Sequence, residues 1–352
     1  MSLTLSKHNL KLYFSSIFIY GFGILLITIL PNYQKNFNPS TYPTLLYLYL
    51  SYCLIGAVYY LFINKNTTNN NKNNNNNTNN TTDNTTTNKS FTITKCVKRN
   101  LTHYFNKNTT AQQQNQKTHL HHEEKTALLF LLVKFFFLPL LINFSYNHLQ
   151  EIPLLLENFK LFPFLLTSLF MLDTFIFTLG YCTESTKLQN ICKSVEPTFL
   201  GWFVTLICYP PFNSIVGQYV PWGASDYATF QNPTLSLFLQ IIVILLLCIY
   251  VAASLSLGLK ASNLTNRGIV TKFPYNIIRH PAYISKLSIW WLTLLPAIFP
   301  LSQQSIPFAL GMLFWTGIYL ARAYTEERHL SQDPDYQQYK EKVRYRFIPK
   351  VM

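Results

Sequence analysis

The sequence predicts an all-α membrane protein: a bundle of about eight spanning helices followed by a short cytoplasmic amphipathic helix. Three observations favour this fold class. Of the 352 residues, 49% are hydrophobic and only 12% are charged, whereas about a quarter of the residues in an ordinary soluble domain are charged. The apolar residues form separate runs, several of them long enough to cross a bilayer. Lys and Arg lie mainly in the segments between these runs, as they do in membrane proteins.

The predicted spans group into three regions of the chain. Two spans make up residues 1–63, and the length of the first, without a small-residue cleavage site, indicates a retained span instead of a signal peptide. The central spans lie within 126–258, and the last two belong to a C-terminal region, 259–352. The predicted spans are 12–30, 43–63, 126–144, 161–181, 198–212, 235–257, 284–299 and 306–323. The fifth is short, and a re-entrant segment is its alternative interpretation.

Residues 64–125 are predicted to form a disordered cytoplasmic loop. Up to about residue 88 it consists almost entirely of Asn and Thr, which cannot bury enough apolar area to offset the entropy of ordering. Three histidines and two glutamates near its end have metal-ligand side chains, but we interpret them as a solvated polar segment; they are His119, His121, His122, Glu123 and Glu124. The six cysteines have neither CxxC pairs nor metal-ligand spacing. The sequence therefore predicts no metal site.

Charge distribution predicts the orientation and excludes one partner class. The formal net charge of +14 is compatible with nucleic-acid binding, but the basic residues lie in loops between apolar runs, so we exclude that class. A cytoplasmic 64–125 loop places both termini in the cytoplasm together with the basic linkers at 182–197 and 259–283. We expect a multi-pass protein of the endoplasmic reticulum, if eukaryotic, or of the bacterial inner membrane. Asp173, within the fourth span, is either a functional group or a structural hydrogen-bonding residue.

The stretch GIVTKFPYNIIRHPAY, residues 268–283, contains the first candidate binding site. Pro281 directly precedes the apolar run of the seventh span and is typical of the first residue of a helix. Arg279 and His280 then lie at the helix N-terminus, where unpaired N–H groups and the helix dipole favour an anion. Tyr283 adds an aromatic ring. The alternative interpretation is a basic membrane boundary followed by an ordinary helix start.

A second polar cluster ends the last span, where Arg322 is followed by Glu326 and Glu327. Such charges are costly at an apolar helix end unless they pair, reach water or line a cavity. Arg322 and Glu326 have the spacing of a helical ion pair. Because the last two spans form a hairpin, both clusters are expected at one membrane face, where they suit a zwitterionic nucleotide-like cofactor and an amphipathic substrate. Asp333 and Pro334 then predict the start of the tail helix.

The C-terminal region resembles the superfamily of isoprenylcysteine carboxyl methyltransferases and phospholipid methyltransferases. The resemblance rests on GIVTKFPYNIIRHPAY, the apolar hairpin, RAYTEERHL, and a tail with Y-x-x-Y and V-x-Y-R-F-I-P. It implies an integral-membrane methyltransferase that uses S-adenosylmethionine and acts on a prenylated or lipid-like small molecule or peptide. The chain differs from the family pattern at Ser285, where a glycine is usual.

The resemblance also implies roles for individual residues. Those assigned to the cofactor are Arg279, His280, Pro281, Tyr283, Glu326 and Glu327. The catalytic residues are Glu326 and Arg322, which matches the arginine assigned to the substrate carboxylate. A carboxylate acceptor is ionised near neutral pH and needs only a cation to place it, whereas an amine must first lose a proton to a base such as a glutamate. Arg322 therefore favours carboxyl O-methylation over N-methylation of a phospholipid amine.

Two further classes of protein remain open. Membrane sterol reductases, which use NADPH, share a Y-x-x-Y…R-x-I-P tail, although the RHPxY turn argues against them. In a transporter or a structural membrane protein the charges would only set topology. A transporter should also have polar residues or interrupted helices near the middle of the membrane, and Asp173 is a charge at such a position.

Overall fold

The computed structural model describes residues 7–58, 89–105, 121–221, 224, 230, 232–299, 303 and 305–351. This part of the chain is mostly helical and contains a two-stranded sheet, which confirms the predicted helical class. It divides into two compact units, Met1–Phe136 and Phe137–Met352. The boundary falls inside a long helix, so each unit is described by itself.

In the first unit, tyrosine hydroxyls join the helix Lys7–Ile29 to the helix Thr41–Val58. Tyr13 donates to the carbonyl oxygen of Cys53 at 2.5 Å, and Tyr49 donates to that of Ile17 at 3.1 Å. A hydrogen bond to a carbonyl on the neighbouring helix satisfies a hydroxyl that has little water around it. The helices are α1 (Lys7–Ile29), α2 (Pro31–Asn36), α3 (Thr41–Val58), α4 (Lys89–Phe105) and the first part of α5 (His122–Glu157).

The prediction of disorder across 64–125 is wrong for residues 89–105, which form α4 and pack against α1. Unlike the Asn/Thr tract, this segment has enough apolar residues for one helical face, and Cys96 is buried there. Arg99 of α4 donates to Glu124 at 2.8 Å, so one carboxylate of the predicted polar cluster belongs to an ion pair. Residues 64–88 and 106–120, with His119, lie outside the described residues.

The second unit is built around four packed helices, α6, α9, α10 and α11, whose apolar side chains form one core. Leu166, Val243, Leu247, Leu287 and Leu294 are among its buried members. Its elements are the rest of α5, α6 (Leu161–Cys182), β1 (Ser194–Val195), α7 (Phe199–Leu206), α8 (Phe212–Gly217), α9 (Pro233–Leu257), β2 (Thr265–Asn266), α10 (Pro281–Ile298), α11 (Ser305–Leu330) and α12 (Pro334–Lys342).

Within the described chain, six helices are long and apolar enough to cross a membrane, which supports a multi-pass protein. They are α1 from Leu10, α3, α5, α6, α9 extended to Lys260, and α11. The predicted continuous span at 198–212 is wrong: α7 has 8 residues, about 12 Å of helix, and a turn with Pro210 and Pro211 separates it from α8. The predicted span at 284–299 falls in α10, which has 18 residues but is not among the six.

Asp173 on α6 has hydrogen-bond partners on the neighbouring helix. Its Oδ1 accepts from the hydroxyl of Ser254, and its Oδ2 accepts from Tyr250 at 3.1 Å. Because both oxygens are satisfied by side chains of α9, the carboxyl group joins two core helices. This geometry favours the structural interpretation of Asp173 over the functional one.

The two linkers of the second unit, 183–196 and 259–268, are joined to each other. Strands β1 and β2 pair antiparallel, with Ser194 opposite Asn266 and Val195 opposite Thr265. The buried guanidinium of Arg267 donates to the carbonyl oxygens of Gly180, Thr183 at 2.6 Å and Asn190 at 2.7 Å. A cation is favourable there because Gly180 and Thr183 lie at the C-terminus of α6, the negative end of its dipole.

Gly180 gives a direct test of this joint. An added Cβ would lie 2.4 Å from the carbonyl oxygen of Ala261, so Gly180→Ala is expected to destabilise the protein by about 1–3 kcal/mol through overpacking. At Gly317 an added Cβ meets nothing within 4 Å, and Gly317→Ala is expected to stabilise its helix by up to about 1 kcal/mol. Thermal unfolding of the two variants in the same detergent makes the comparison; equal midpoints would contradict the packing described here.

The tail helix α12 packs on the protein through its tyrosines. Tyr336 and Tyr339 are buried, and Tyr339 donates to the carbonyl oxygen of Tyr275 at 2.7 Å. The tyrosines and basic residues of this amphipathic helix predict that it lies at the membrane surface. In the structure, however, both rings are packed against the protein and are not available to the membrane. Asp333 caps the helix by accepting the N–H of Asp335 at 3.0 Å.

Asp333 also makes the docking of the tail depend on pH. Burial raises its pKa, but hydrogen bonds from Asn266 at 2.8 Å and Lys193 at 2.9 Å outweigh burial and hold the pKa below its ordinary value of 3.8. A carboxyl group with a lowered folded-state pKa adds stability above its unfolded-state pKa and loses it as the pH falls through the folded-state value. Asp333→Asn keeps a capping side chain but cannot ionise. The difference in unfolding free energy between the two proteins should be constant above about pH 5 and shrink below about pH 4; a difference independent of pH would refute this role.

Candidate functional site

The residues just before α10 are held by backbone hydrogen bonds to the C-terminal tail. The N–H groups of Arg279 and His280 donate to the carbonyl oxygens of Tyr345 and Arg346, both at 2.9 Å. Pro281 is the first residue of α10, as predicted, and His280 occupies the N-cap position without a capping side-chain bond. The imidazole of His280 is directed elsewhere, towards α11.

Glu327 is the centre of a buried ionic cluster formed with Arg279, His280 and Arg346, here called the Glu327 cluster. Its Oε1 accepts from Arg279 Nε at 2.9 Å and lies 3.1 Å from His280 Nε2, while its Oε2 accepts from Arg346 Nε at 3.1 Å. The side chain of Glu327 is only 4% exposed. Since both oxygens are engaged by groups of the protein, this carboxylate ties α11, the start of α10 and the tail together.

A cleft lies beside this cluster and is lined by another face of α11. It contains about 410 Å³ of empty space, part of it open to solvent. Arg322, Glu326 and His329 reach it from α11, since residues 4 and 7 positions apart share one side of a helix. Tyr283 of α10 also lines it and donates to Glu326 Oε2 at 2.6 Å.

Arg322 is a buried cation whose described neighbours are neutral. Its guanidinium donates to Asn263 Oδ1 at 2.6 Å and lies over the rings of Tyr283, Tyr209 and Tyr319, at 5.2, 5.6 and 5.8 Å. The ion pair with Glu326 that the spacing allowed is not formed, because Glu326 is engaged with Tyr283 instead. Aromatic faces attract a guanidinium, but its charge is left available to an anion that enters the cleft.

The opposite wall of the cleft comes from the joined linkers. Glu196 is buried, and its Oε1 accepts from Arg328 at 2.7 Å and from the N–H and hydroxyl of Thr198, at 3.1 and 2.5 Å. His329 is buried too, with Nε2 2.9 Å from the hydroxyl oxygen of Ser194. This wall therefore adds a second carboxylate to the cleft, and its Ser194 holds the imidazole of His329.

The structure divides the predicted site residues into two sets. Tyr283, Arg322 and Glu326 line the cleft. Arg279, His280 and Glu327 belong to the Glu327 cluster, and Pro281 starts the helix between them. The sets touch where the rings of His280 and Tyr283 stack at 5.3 Å. In the described residues no group of three or more His, Cys, Asp or Glu side chains is placed to hold a metal ion.

Glu196, Asn263 and His329 are among the cleft residues that sequence reasoning missed. His329 could have been found, because it follows Arg322 by two helical turns on the same face. Glu196 and Asn263 gave no local signal, since they reach the cleft only through the long-range pairing of the two linkers.

Comparison with models of known protein families finds no match. Curated proteins and solved structures give none either. The geometry of the cleft, together with the resemblance of its motifs, is therefore the basis for assigning a function.

Proposed function

We propose that the protein is an integral-membrane methyltransferase that uses S-adenosylmethionine and methylates the carboxyl group of a prenylated or lipid-like substrate. The observation that carries this proposal is the buried guanidinium of Arg322, which lines the cleft and has no carboxylate partner among the residues that the structure describes. The two motifs that resemble the methyltransferase superfamily supply Tyr283, Arg322 and Glu326 to that same cleft. In this proposal the cleft opens towards the cytoplasm, the side favoured by the basic linkers.

The residues present fit such a cofactor. Glu326 is an acceptor suited to ribose hydroxyls, and Tyr283 brings an aromatic ring to the same cleft. When bound, S-adenosylmethionine supplies a methyl group on a positively charged sulfur, and the S–C bond breaks as the acceptor oxygen forms its bond to that carbon.

The task left to the protein is to place the acceptor. A carboxylate is already ionised near neutral pH, so no proton has to be removed. Arg322 can hold one carboxylate oxygen by a charge-assisted hydrogen bond and so orient the other towards the methyl group. Alignment of this kind is a large part of what an enzyme contributes to a displacement reaction.

Amine N-methylation is a second candidate, favoured by the two carboxylates and the imidazole of the cleft. An ammonium group must lose a proton before it can attack, and Glu326 or His329 could accept that proton. Arg322 would repel an ammonium acceptor placed directly beside it and therefore argues for the carboxyl acceptor.

Binding of labelled S-adenosylmethionine to the purified protein in lipid nanodiscs tests the proposal. Saturable binding is expected, weakened by Glu326→Gln and unchanged by Glu341→Gln, an exposed glutamate on α12. Methyl transfer is then measured to a prenylated cysteine with a free carboxylate and, in parallel, to a phospholipid amine.

The outcomes separate the open classes. Transfer to the carboxylate alone supports the proposal, and transfer to the amine alone replaces O-methylation by N-methylation. Binding of NADPH without binding of S-adenosylmethionine would point to a reductase. Binding of neither would refute a methyltransferase and leave the transporter or structural class.

A further inference from the structure

Glu196 is a buried carboxylate whose side chain packs against a glycine, Gly201. It lies between β1 and α7, and its N–H donates to the carbonyl oxygen of Leu264 at 2.8 Å. A Cβ on Gly201 would lie 2.3 Å from Glu196 Cγ, so the glycine at this position admits the side chain. With the residue only 2% exposed, its charge has little contact with bulk water.

The two oxygens of this carboxylate have different surroundings. Oε1 accepts from Arg328 and twice from Thr198. Oε2 is buried and has no hydrogen-bond partner in the described part of the chain. A buried carboxylate oxygen without a donor is costly and calls for an explanation.

A purely structural role explains only half of this arrangement. Holding Arg328 and the start of α7 requires Oε1 alone, and an amide would serve those donors equally well. The unpartnered Oε2 belongs to a residue that lines the cleft. A donor that enters the cleft would therefore complete the hydrogen bonding of a group that the protein leaves unsatisfied.

We propose that Glu196 Oε2 receives an N–H of an ammonium group on the ligand of this cleft. Given the proposed function, on which this inference rests, that group is the α-ammonium of the methionine part of S-adenosylmethionine. An ammonium group is the ligand group that best matches the carboxylate of Glu196. Because Glu196 is buried, a charge-assisted hydrogen bond to it is stronger than one to the exposed carboxylate of Glu326. Glu196 lies outside the C-terminal region that carries the methyltransferase resemblance.

The test uses S-adenosylhomocysteine and its analogue without the amino group, with affinities measured by calorimetry on the full-length protein in nanodiscs. Wild-type protein is expected to bind the parent compound about 10- to 100-fold more tightly than the analogue, the loss typical of a hydrogen bond to a charged group. Glu196→Gln should abolish this preference, because its carbonyl can still serve Thr198 and Arg328 while an NH₂ replaces Oε2.

Glu184→Gln is the matched control. This glutamate lies in the same linker, accepts the N–H of Cys192 at 3.0 Å and does not line the cleft. It should leave the preference intact, and the thermal midpoints of both variants show whether they remain folded.

Each outcome decides the inference. Loss of the preference in Glu196→Gln alone supports it. Equal binding of the two compounds by wild-type protein, or equal weakening of both in Glu196→Gln, overturns it and leaves the proposed function standing. Binding of neither compound by wild-type protein overturns the proposed function as well.

Discussion

Replacing Glu327 by alanine is expected to detach the tail, residues 331–351, and to destabilise the second unit by about 3–5 kcal/mol. The substitution removes the one carboxylate that Arg279, His280 and Arg346 share, and two of these three groups are almost completely buried. Leaving the buried guanidinium of Arg279 without its partner costs more than the ion pair itself contributed. Thermal unfolding and the rate of limited proteolysis in the tail measure the two effects.

Glu326→Ala is the control for this prediction, since Glu326 is adjacent in sequence but exposed. Its unfolding free energy should stay within about 1 kcal/mol of the wild-type value. Glu327→Gln preserves the shape of the side chain and is expected to give a smaller loss, which keeps the test usable if the alanine variant does not fold. Unchanged stability and unchanged proteolysis in both Glu327 variants would show that the cluster does not hold the tail.

Replacing Arg322 by methionine is expected to separate function from stability. Loss of the guanidinium should lower the affinity for a carboxylate-bearing substrate by about 10- to 100-fold, as for other hydrogen bonds to charged groups. The same change removes a buried charge that has no carboxylate partner in the described chain. Because such a charge is costly to bury, the thermal midpoint should stay the same or rise.

Equilibrium binding of a prenylated cysteine and thermal unfolding, measured on the same preparation, test both parts. Arg344→Met, at an exposed position of the tail, is the control and should change neither quantity. A variant of Arg322 that binds the carboxylate normally would contradict the assigned role. A large loss of stability would instead mean that the guanidinium mainly supports the fold.

The sequence predicted well what depends on local pattern. Apolar runs located the long helices, and Pro281 and Pro334 each marked a helix start. The same reasoning placed the end of the fifth span at residue 212, whereas α7 already ends at Leu206, four residues before Pro210. Composition alone cannot show where a helix stops inside an apolar segment.

The candidate site was predicted in part, and helix geometry explains the division. Adjacent helical residues point about 100° apart, and here Glu326 lines the cleft while Glu327 is directed to Arg279, His280 and Arg346. The positions that do share a face are those of Arg322, Glu326 and His329. The wall with Glu196 and Asn263 depends on a pairing between linkers some seventy residues apart in the chain, which no local pattern contains.

The joint made by Arg267 has a mechanical consequence for the cleft. Arg267 lies in the second linker and bonds two carbonyl oxygens of the first linker and that of Gly180 at the end of α6, so the two linkers are held to each other and to this helix. The joined linkers contact α11 through three polar pairs, Arg322–Asn263, Arg328–Glu196 and His329–Ser194. Water can replace hydrogen bonds of this kind, whereas it cannot replace buried apolar contacts without a large penalty. A ligand that displaced these polar contacts would therefore leave the hydrophobic packing of the helices undisturbed.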